Sequence, residues 1–326
     1  MANIIYSNAR AKALEKNLLD GDRLNRMMEC SSAEEALKVL YEVNFGNGQI
    51  LSSALEFEKL IEAEEKELLE FIKESNLSNE IMGFFLAKYD YNNAEALIKA
   101  KYLKIDPSFM LQSEGRYSIS VMKENIFADI YGSFPKQLAD ALLAADNLFV
   151  AGNATGKAID DLFKKALYEE LNNLAAKDKQ LKKIIEFKID SINAFICLRT
   201  RNLKESEKSF IKGGKLTESE KFALCNLSVE EIKNKFYVSE YKPVIVKALT
   251  AMQENLPLVE AEKAADDYAL DYLSKNKYST EGITPFLLYV YYKLAELSNV
   301  RIIMIGLQNG LSKNDIKAKL RRGYEG

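Results

Sequence analysis

Residues 93–101 have the sequence NAEALIKAK, and similar stretches occur at two later places in the chain. Residues 193–201 have the sequence NAFICLRTR, and residues 299–305 have NVRIIMI. Residues 8–14, NARAKAL, resemble these copies as well. The asparagines that open the three later copies are about 100 residues apart. Because apolar residues follow each asparagine at helical spacing, we expect the three asparagines to occupy equivalent positions in three helices.

A second pattern recurs beside the first, and it begins with a serine. It occupies Ser32–Tyr41, Ser228–Tyr237 and Ser312–Leu320. Each serine is followed three residues later by an acid, which is the arrangement of a capping box that opens a short helix. Two recurring elements and an even spacing indicate an internal triplication. A period of about 100 residues is too long for helical solenoid units of 34 to about 47 residues, so the repeats predict three small helical domains.

The scarcity of turn-forming residues predicts the same fold class. The 326 residues include 5 prolines and 15 glycines. An all-β chain needs a turn about every 8–12 residues, and these residues are too few for that. Hydrophobic residues make up 48% and charged residues 29%, enough for apolar cores with solvated faces. The composition therefore predicts an all-α chain.

Helix-breaking residues mark two domain boundaries. Proline disfavours the α conformation in the residue before it, so Asp106–Pro107 ends a helix. Gly213–Gly214, within a polar run, indicates a second linker. These breaks predict three helical repeat domains, at residues 1–106, 107–212 and 213–326.

Two strongly charged segments carry apolar residues at helical spacing. Leu51–Glu74 has an acidic polar face, and Lys177–Lys204 has a basic one. Charge runs of this kind are typical of solvated helix faces, so we expect two amphipathic helices. Their apolar residues are Phe57, Leu60, Ile61, Leu68, Phe71 and Ile72 in the first segment, and Ile184, Ile185, Ile189, Ile192, Phe195 and Ile196 in the second.

The absence of histidine narrows the possible chemistry. The chain contains no histidine, which excludes histidine-based triads, acid–base pairs and metal sites. Cys30, Cys197 and Cys225 form no C-x-x-C pair, so we expect three buried thiols in a reducing compartment. A net charge of −3 argues against nucleic-acid binding. We therefore expect no catalytic residue, no metal and no cofactor.

One glycine-rich stretch resembles a phosphate-binding P-loop. Residues 152–157 have the sequence GNATGK, but Ala151 stands where the first glycine belongs. Ala158 stands where the hydroxyl that binds magnesium belongs. We interpret the stretch as a loop between two helices, the second of which begins near Gly156.

An aspartate-rich stretch, Asp266–Asp271, resembles the metal-binding helices of isoprenoid synthases, which are also all-α. Metal-bridging carboxylates must share one helix face. Asp267 and Asp271 have the required spacing, but Asp266 does not. An enzyme of the isoprenoid type therefore depends on these two residues alone.

The basic C-terminal tail is the candidate partner-binding segment. It contains Lys317, Lys319, Arg321 and Arg322. If the helix opened by Ser312 continues through them, Lys317 and Arg321 share one face while Lys319 and Arg322 share another. The charges then form a diffuse positive field, which suits an acidic protein surface or lipid head groups. A solvated helix end is the alternative.

No segment has the pattern of a membrane helix or a signal peptide. Met1–Tyr6 lacks a basic region followed by a long apolar stretch. The most apolar window, Phe286–Tyr292, is followed by Lys293 and is much shorter than the roughly 20 residues of a spanning helix. We therefore expect a cytoplasmic protein without a membrane span.

Three stretches resemble the C-type component of the prokaryotic V/A-type ATP synthases and ATPases, the counterpart of the d-type component of eukaryotic vacuolar enzymes. They are Tyr6–Leu19, Leu24–Gly46 and Glu296–Arg322. The resemblance also covers the length, the helical content and the threefold repetition of the whole chain.

The resemblance implies a funnel of three similar helical domains around a pseudo-threefold axis. It further implies a non-catalytic rotor component of the central stalk, which couples the central-shaft subunits of the D and F type to the membrane rotor ring of proteolipid subunits. Such a protein is cytoplasmic and attached to the membrane through that ring, and it serves proton or sodium transport. From the residues alone, a soluble α-helical adaptor of unrelated role is the alternative.

Overall fold

The computed structural model describes residues 2–277 and 282–324. These residues form sixteen α-helices, four short 3-10 helices and no strand, so the all-α prediction is confirmed for them. The α-helices are α1 (Ala2–Glu15), α2 (Gly21–Glu29), α3 (Ala33–Glu42), α4 (Glu58–Glu74), α5 (Asn79–Leu103), α6 (Ile119–Phe127), α7 (Lys136–Val150), α8 (Gly156–Leu174), α9 (Lys179–Thr200), α10 (Leu203–Ser206), α11 (Glu218–Asn226), α12 (Val229–Lys235), α13 (Lys242–Gln253), α14 (Val259–Ser274), α15 (Thr284–Gln308) and α16 (Lys313–Lys319). The 3-10 helices are Ala54–Glu56, Ser108–Met110, Ala175–Lys177 and Glu207–Ser209.

Side-chain caps explain where many helices begin. Ser32, Ser228 and Ser312 are the N-caps of α3, α12 and α16, and each hydroxyl accepts the backbone N–H three residues later. At Ser228 the carboxylate of Glu231 also accepts the backbone N–H of the serine at 2.9 Å, which completes a capping box. The three serine-led patterns are therefore confirmed as helix starts.

The chain divides into two compact units. Unit 1 combines two segments that are separated in sequence, Met1–Leu77 and Lys242–Gly326, and unit 2 is the continuous segment Ser78–Tyr241. Both of the predicted domain boundaries, after residues 106 and 212, lie within unit 2. The division into three domains remains a prediction.

In unit 1 the long helix α15 occupies the centre. It contacts α1, α2, α3, α4, α14 and α16. A helix with neighbours on most sides needs apolar residues around most of its circumference. This requirement explains the apolar window Phe286–Tyr292, which is buried in the core and is part of no membrane span. Its fully buried apolar residues include Phe286, Leu287, Val290, Val300, Ile303 and Met304.

In unit 2 two long helices, α5 and α9, take the corresponding role. Helix α5 contacts α6, α7 and α8, and α9 contacts α8, α10 and α11. The core around α5 contains Leu97, Ile98, Met122, Leu138 and Phe163. Burial of this kind stabilises a helix more than its own propensity does.

The two amphipathic helices are present as α4 and α9. All six apolar residues named in the acidic segment are buried. In the basic segment Ile192 and Ile196 are half-buried, and the other four are buried. One acid departs from the expected solvated face, because Glu64 of α4 is buried and forms an ion pair with Lys293 of α15.

Candidate functional site

Each of the three long helices, α5, α9 and α15, carries one buried asparagine that bonds a distant backbone in the same way. The side-chain amide donates to a carbonyl, and the side-chain oxygen accepts the N–H of that same residue. The pairs are Asn93 with Gln112 (2.7 and 2.8 Å), Asn193 with Ile211 (2.9 and 2.9 Å) and Asn299 with Arg321 (3.0 and 2.7 Å). The expected equivalence of the three asparagines is therefore present in their hydrogen bonds.

A buried acid lies three residues before each asparagine, one helical turn away. Its carboxylate accepts backbone N–H groups from the one or two residues that precede the N-cap of a short helix. The acids and their donors are Asp90 with Arg116 and Tyr117 before α6, Asp190 with Lys215 and Leu216 before α11, and Glu296 with Leu19 before α2.

We call these pairs clamp 1 (Asp90 and Asn93), clamp 2 (Asp190 and Asn193) and clamp 3 (Glu296 and Asn299). Each clamp fixes a long helix to the start of a short one through charge-assisted and amide hydrogen bonds, which together leave little freedom of register. The repeats in the sequence predicted the asparagines but not the acids. The signal for them was present as [DE]-x-x-N, which occurs as DYNN, DSIN and ELSN at residues 90–93, 190–193 and 296–299.

Clamp 1 belongs to a buried ionic network. The guanidinium of Arg116 bonds Asp90 and also donates to Glu170 at 2.6 Å. The hydroxyl of Tyr91 donates to the same Glu170 at 2.8 Å. Burial raises the pKa of Asp90, and the hydrogen bond and charge of Arg116 oppose that rise. The network therefore holds two carboxylates around one guanidinium.

Clamp 2 is built with a neutral donor in place of the guanidinium. The hydroxyl of Tyr241 donates to Asp190 at 2.6 Å, and the backbone N–H groups of Lys215 and Leu216 supply the remaining bonds. Burial raises the pKa of Asp190, and the hydrogen bond from Tyr241 opposes that rise. Hydrogen bonds to a carboxylate stabilise its charged form, so this site keeps a buried acid largely by bonding it.

Clamp 3 pairs its acid with a buried lysine. The ammonium of Lys293 contacts both Glu296 and Glu64. Glu64 also accepts the backbone N–H of Gly46 at 2.6 Å, and Lys293 lies 5.3 Å from the centre of the Phe45 ring. Burial acts to lower the pKa of Lys293, but the charges of Glu296 and Glu64 raise it overall. The lysine therefore remains charged between the two carboxylates.

Two glycines permit the close approach of the backbone to clamps 1 and 2. A Cβ atom on Gly115 would lie 2.3 Å from Oδ1 of Asp90, and one on Gly214 would lie 2.1 Å from Oδ1 of Asp190. Gly213–Gly214 was interpreted as a linker, and the structure instead packs Gly214 directly against the carboxylate. The glycine is needed there because a side chain would occupy the position of the acid.

The basic tail does not continue as one helix. Helix α16 ends at Lys319, so the expected sharing of helix faces with Arg321 and Arg322 is wrong. Lys317 and Lys319 are exposed, and within the described part of the chain their ammonium groups make no ion pair. The structure thus separates the four predicted residues into two exposed lysines and two half-buried arginines.

The two arginines bond the aspartate-rich face of α14. Arg321 Nε donates to Asp266 at 2.9 Å, and the backbone N–H of Arg322 donates to Asp267 at 2.7 Å. The guanidinium of Arg322 also contacts Asp271. The aspartates that suggested a metal-binding helix therefore hold the tail. Among residues 2–277 and 282–324, no group of three or more acids and cysteines is arranged to hold a metal ion.

The glycine-rich stretch at residues 152–157 is a turn between α7 and α8. Helix α8 begins at Gly156, and the hydroxyl of Thr155 caps it by accepting the N–H of Ala158 at 3.2 Å. The interpretation as an interhelical loop is confirmed. Over the described ranges, the helices are all too short or too polar to cross a bilayer.

Comparison with known proteins identifies relatives along nearly the whole chain. The model of the family described as ATP synthase (C/AC39) subunit matches residues 7–319. The C-type component of the V-type sodium ATPase of Enterococcus hirae is 21% identical over 325 residues, which cover 98% of each chain. The C-type component of the A-type ATP synthase of Methanocaldococcus jannaschii is 22% identical and covers 98% of this chain and 86% of its own. That of Halobacterium salinarum is 26% identical, over 81% of this chain and 92% of its own.

Proposed function

Because the chain belongs to the ATP synthase (C/AC39) subunit family, we propose that it is a non-catalytic component of the central stalk of a V/A-type rotary ATPase. In this role it joins the central shaft, made of subunits of the D and F type, to the membrane rotor ring of proteolipid subunits. It is then located on the cytoplasmic side, attached to the membrane through the ring, and it transmits torque for proton or sodium transport.

The observation that carries the proposal is the extent of the family match. The family model covers residues 7–319, and the Enterococcus relative aligns over 98% of both chains. A shared short motif would transfer little, because unrelated functions use the same motifs and folds. A match of almost equal lengths supports the transfer of the role of the whole protein.

The clamps give this role a physical basis. A part that transmits torque must resist twisting between its helices, and each clamp fixes a long helix to a short one by at least three hydrogen bonds, from buried side chains. Such bonds are strengthened by burial. The three clamps also support the proposal of three similar helical domains arranged in a funnel around a pseudo-threefold axis.

Within this function we propose that α16 contributes to partner binding through Lys317 and Lys319. Both are exposed and unpaired within the described residues, so they remain available to an acidic surface. Arg321 and Arg322 have a different task, since their contacts with α14 hold the segment that follows α16.

The test measures binding of the purified chain to a shaft complex and, separately, to a detergent-solubilised rotor ring over a salt series. The variant Lys317→Glu/Lys319→Glu reverses the two exposed charges. The control Lys157→Glu/Lys164→Glu makes the same charge change at two exposed lysines of α8. We expect the wild type and the control to bind both partners. The test variant should bind at least one of them about tenfold more weakly, with a shallower salt dependence.

The outcomes separate the function from the site. If the wild-type chain binds neither the shaft complex nor the ring, the proposed function is wrong, and an unrelated adaptor role becomes the better explanation. If the wild type binds both and the Lys317/Lys319 variant matches it in affinity and salt slope, the stalk function stands and the two lysines have no part in it.

A further inference from the structure

Clamp 3 differs from clamps 1 and 2 in the way its bonded segments are connected. In clamp 2, Asn193 bonds Ile211 and Asp190 bonds Leu216, within one short stretch of chain. In clamp 3, Asn299 bonds Arg321, whereas Glu296 bonds Leu19. No covalent connection within unit 1 links these two bonded segments closely. They meet at an isolated parallel bridge between Asp20 and Tyr324.

Residues 320–324, which we call the strap, are held mainly by polar contacts. The strap bonds Asn299 through the backbone of Arg321 and bonds α14 through the two arginines. At its far end, Tyr324 makes an edge-to-face contact with Tyr292, with ring centres 5.4 Å apart. All five strap residues are half-buried, and none is fully buried.

The corresponding segment of clamp 2 is anchored by burial. Ile211 and Leu216 are each only 5% exposed, so release of that segment would bring two apolar side chains into water. Release of the strap exposes less apolar area and mainly breaks half-exposed ion pairs. Apolar burial resists opening in proportion to its area, whereas such ion pairs are weak and screened by salt.

We propose that the strap is a salt-sensitive latch, which detaches from α14 and Asn299 in a local opening that leaves clamp 2 closed. In the open state Asp266, Asp267 and Asp271 lose their arginine partners, and α14 presents a more negative face. The opening requires only the contacts of unit 1, so it is independent of the proposed function.

Amide hydrogen exchange of the full-length chain tests the latch. The N–H groups of Arg321 and Ile211 make the same bond to an asparagine oxygen, at 2.7 and 2.9 Å, so Ile211 is an internal control. We expect the protection factor of Arg321 to be at least about tenfold below that of Ile211, since local openings need less free energy than global unfolding. It should fall further between about 0.05 and 0.5 M NaCl, while that of Ile211 stays constant.

A pair of matched variants tests the ionic cause. Asp271→Asn removes one arginine partner on α14, and Asp161→Asn makes the same change at an exposed aspartate of α8. We expect Asp271→Asn to lower the protection of Arg321 several-fold and Asp161→Asn to leave it unchanged. Equal protection of Arg321 and Ile211 at both salt concentrations would overturn the proposal, as would an Asp271→Asn variant that exchanges like the wild type.

Discussion

Glu296 accepts a hydrogen bond from the backbone N–H of Leu19, which lies 277 residues earlier in the chain. Asp90 and Asp190 make the same type of bond to residues only 26 and 25 positions away. In all three places the donor stands just before the N-cap of a short helix. The third copy of the motif is thus assembled from two distant segments, both of which belong to unit 1.

Removal of one clamp asparagine should destabilise the protein strongly. Asn193→Ala deletes two hydrogen bonds and leaves the backbone N–H and C=O of Ile211 without their partner in a buried setting. We expect the free energy of unfolding to fall by about 2–4 kcal/mol, as measured by urea denaturation followed by circular dichroism. Asn234→Ala, at an exposed position of α12, should change it by less than about 0.5 kcal/mol. Equal effects of the two changes would show that the clamp contributes nothing.

A methyl group at the clamp glycine should be poorly tolerated. In Gly214→Ala the new Cβ would lie 2.1 Å from the carboxylate of Asp190, so either the backbone or the acid must move. We expect a loss of about 1–3 kcal/mol in the same unfolding assay. Gly132→Ala is the matched control, because a Cβ there meets no atom within 4 Å. It should be neutral or slightly stabilising, and a Gly214→Ala variant as stable as this control would contradict the close approach.

Loss of the buried lysine should leave two acids without their cation. We expect Lys293→Met to lower the free energy of unfolding by about 3–5 kcal/mol at pH 7. The loss should be smaller at pH 5, because protonation removes the uncompensated charges of Glu64 and Glu296. Lys177→Met removes an exposed partner of Glu80 and should cost less than about 1 kcal/mol. A deficit in Lys293→Met that does not depend on pH would indicate lost packing and no ionic role.

The acid of clamp 2 should impose a characteristic pH dependence. Burial raises the pKa of Asp190 above its ordinary value of 3.8, although Tyr241 opposes the shift. The folded state therefore holds this proton to a higher pH than the unfolded state does. The contribution of Asp190 to stability is full below the unfolded pKa and declines as the pH rises through the interval between the two pKa values. Asp190→Asn removes the titration.

Urea midpoints measured from about pH 4 to pH 8 test this sign. We expect the Asp190→Asn variant to be less stable than the wild type at low pH and to lose less of its stability as the pH rises. Wild-type and variant curves that run parallel over the whole range would show that Asp190 binds its proton equally in both states.

Local features of the fold were predictable from the sequence, whereas long-range partners were not. Ser32, Ser228 and Ser312 could be recognised as helix starts, because a cap is formed with the backbone three residues away. The donor of Glu296 could not, because nothing near residue 296 encodes a contact with Leu19. The asparagines were visible as repeats, and the acids beside them were equally regular but were overlooked.

Tertiary contacts also decided two features against the local pattern. Helix α16 stops at Lys319 because the next residues bond Asn299 and the aspartates of α14, which a helical continuation would prevent. Glu64 lies on the face of α4 that the sequence assigns to acids in water, yet Lys293 of α15 draws it inside. Propensity and periodicity are weak where such distant charges compete with them.

The bond between Leu19 and Glu296 also bears on the order of events during synthesis on the ribosome. Unit 2 comes from one continuous stretch, so clamps 1 and 2 can close while later residues are still being added. At about 5–20 residues per second, Glu296 follows Leu19 by roughly 14–55 s. During that interval α2, α3 and α4 lack α15, against which their apolar residues pack. Ribosome-bound chains arrested before Glu296 should therefore be cleaved by protease in α2–α4, while residues 78–241 resist.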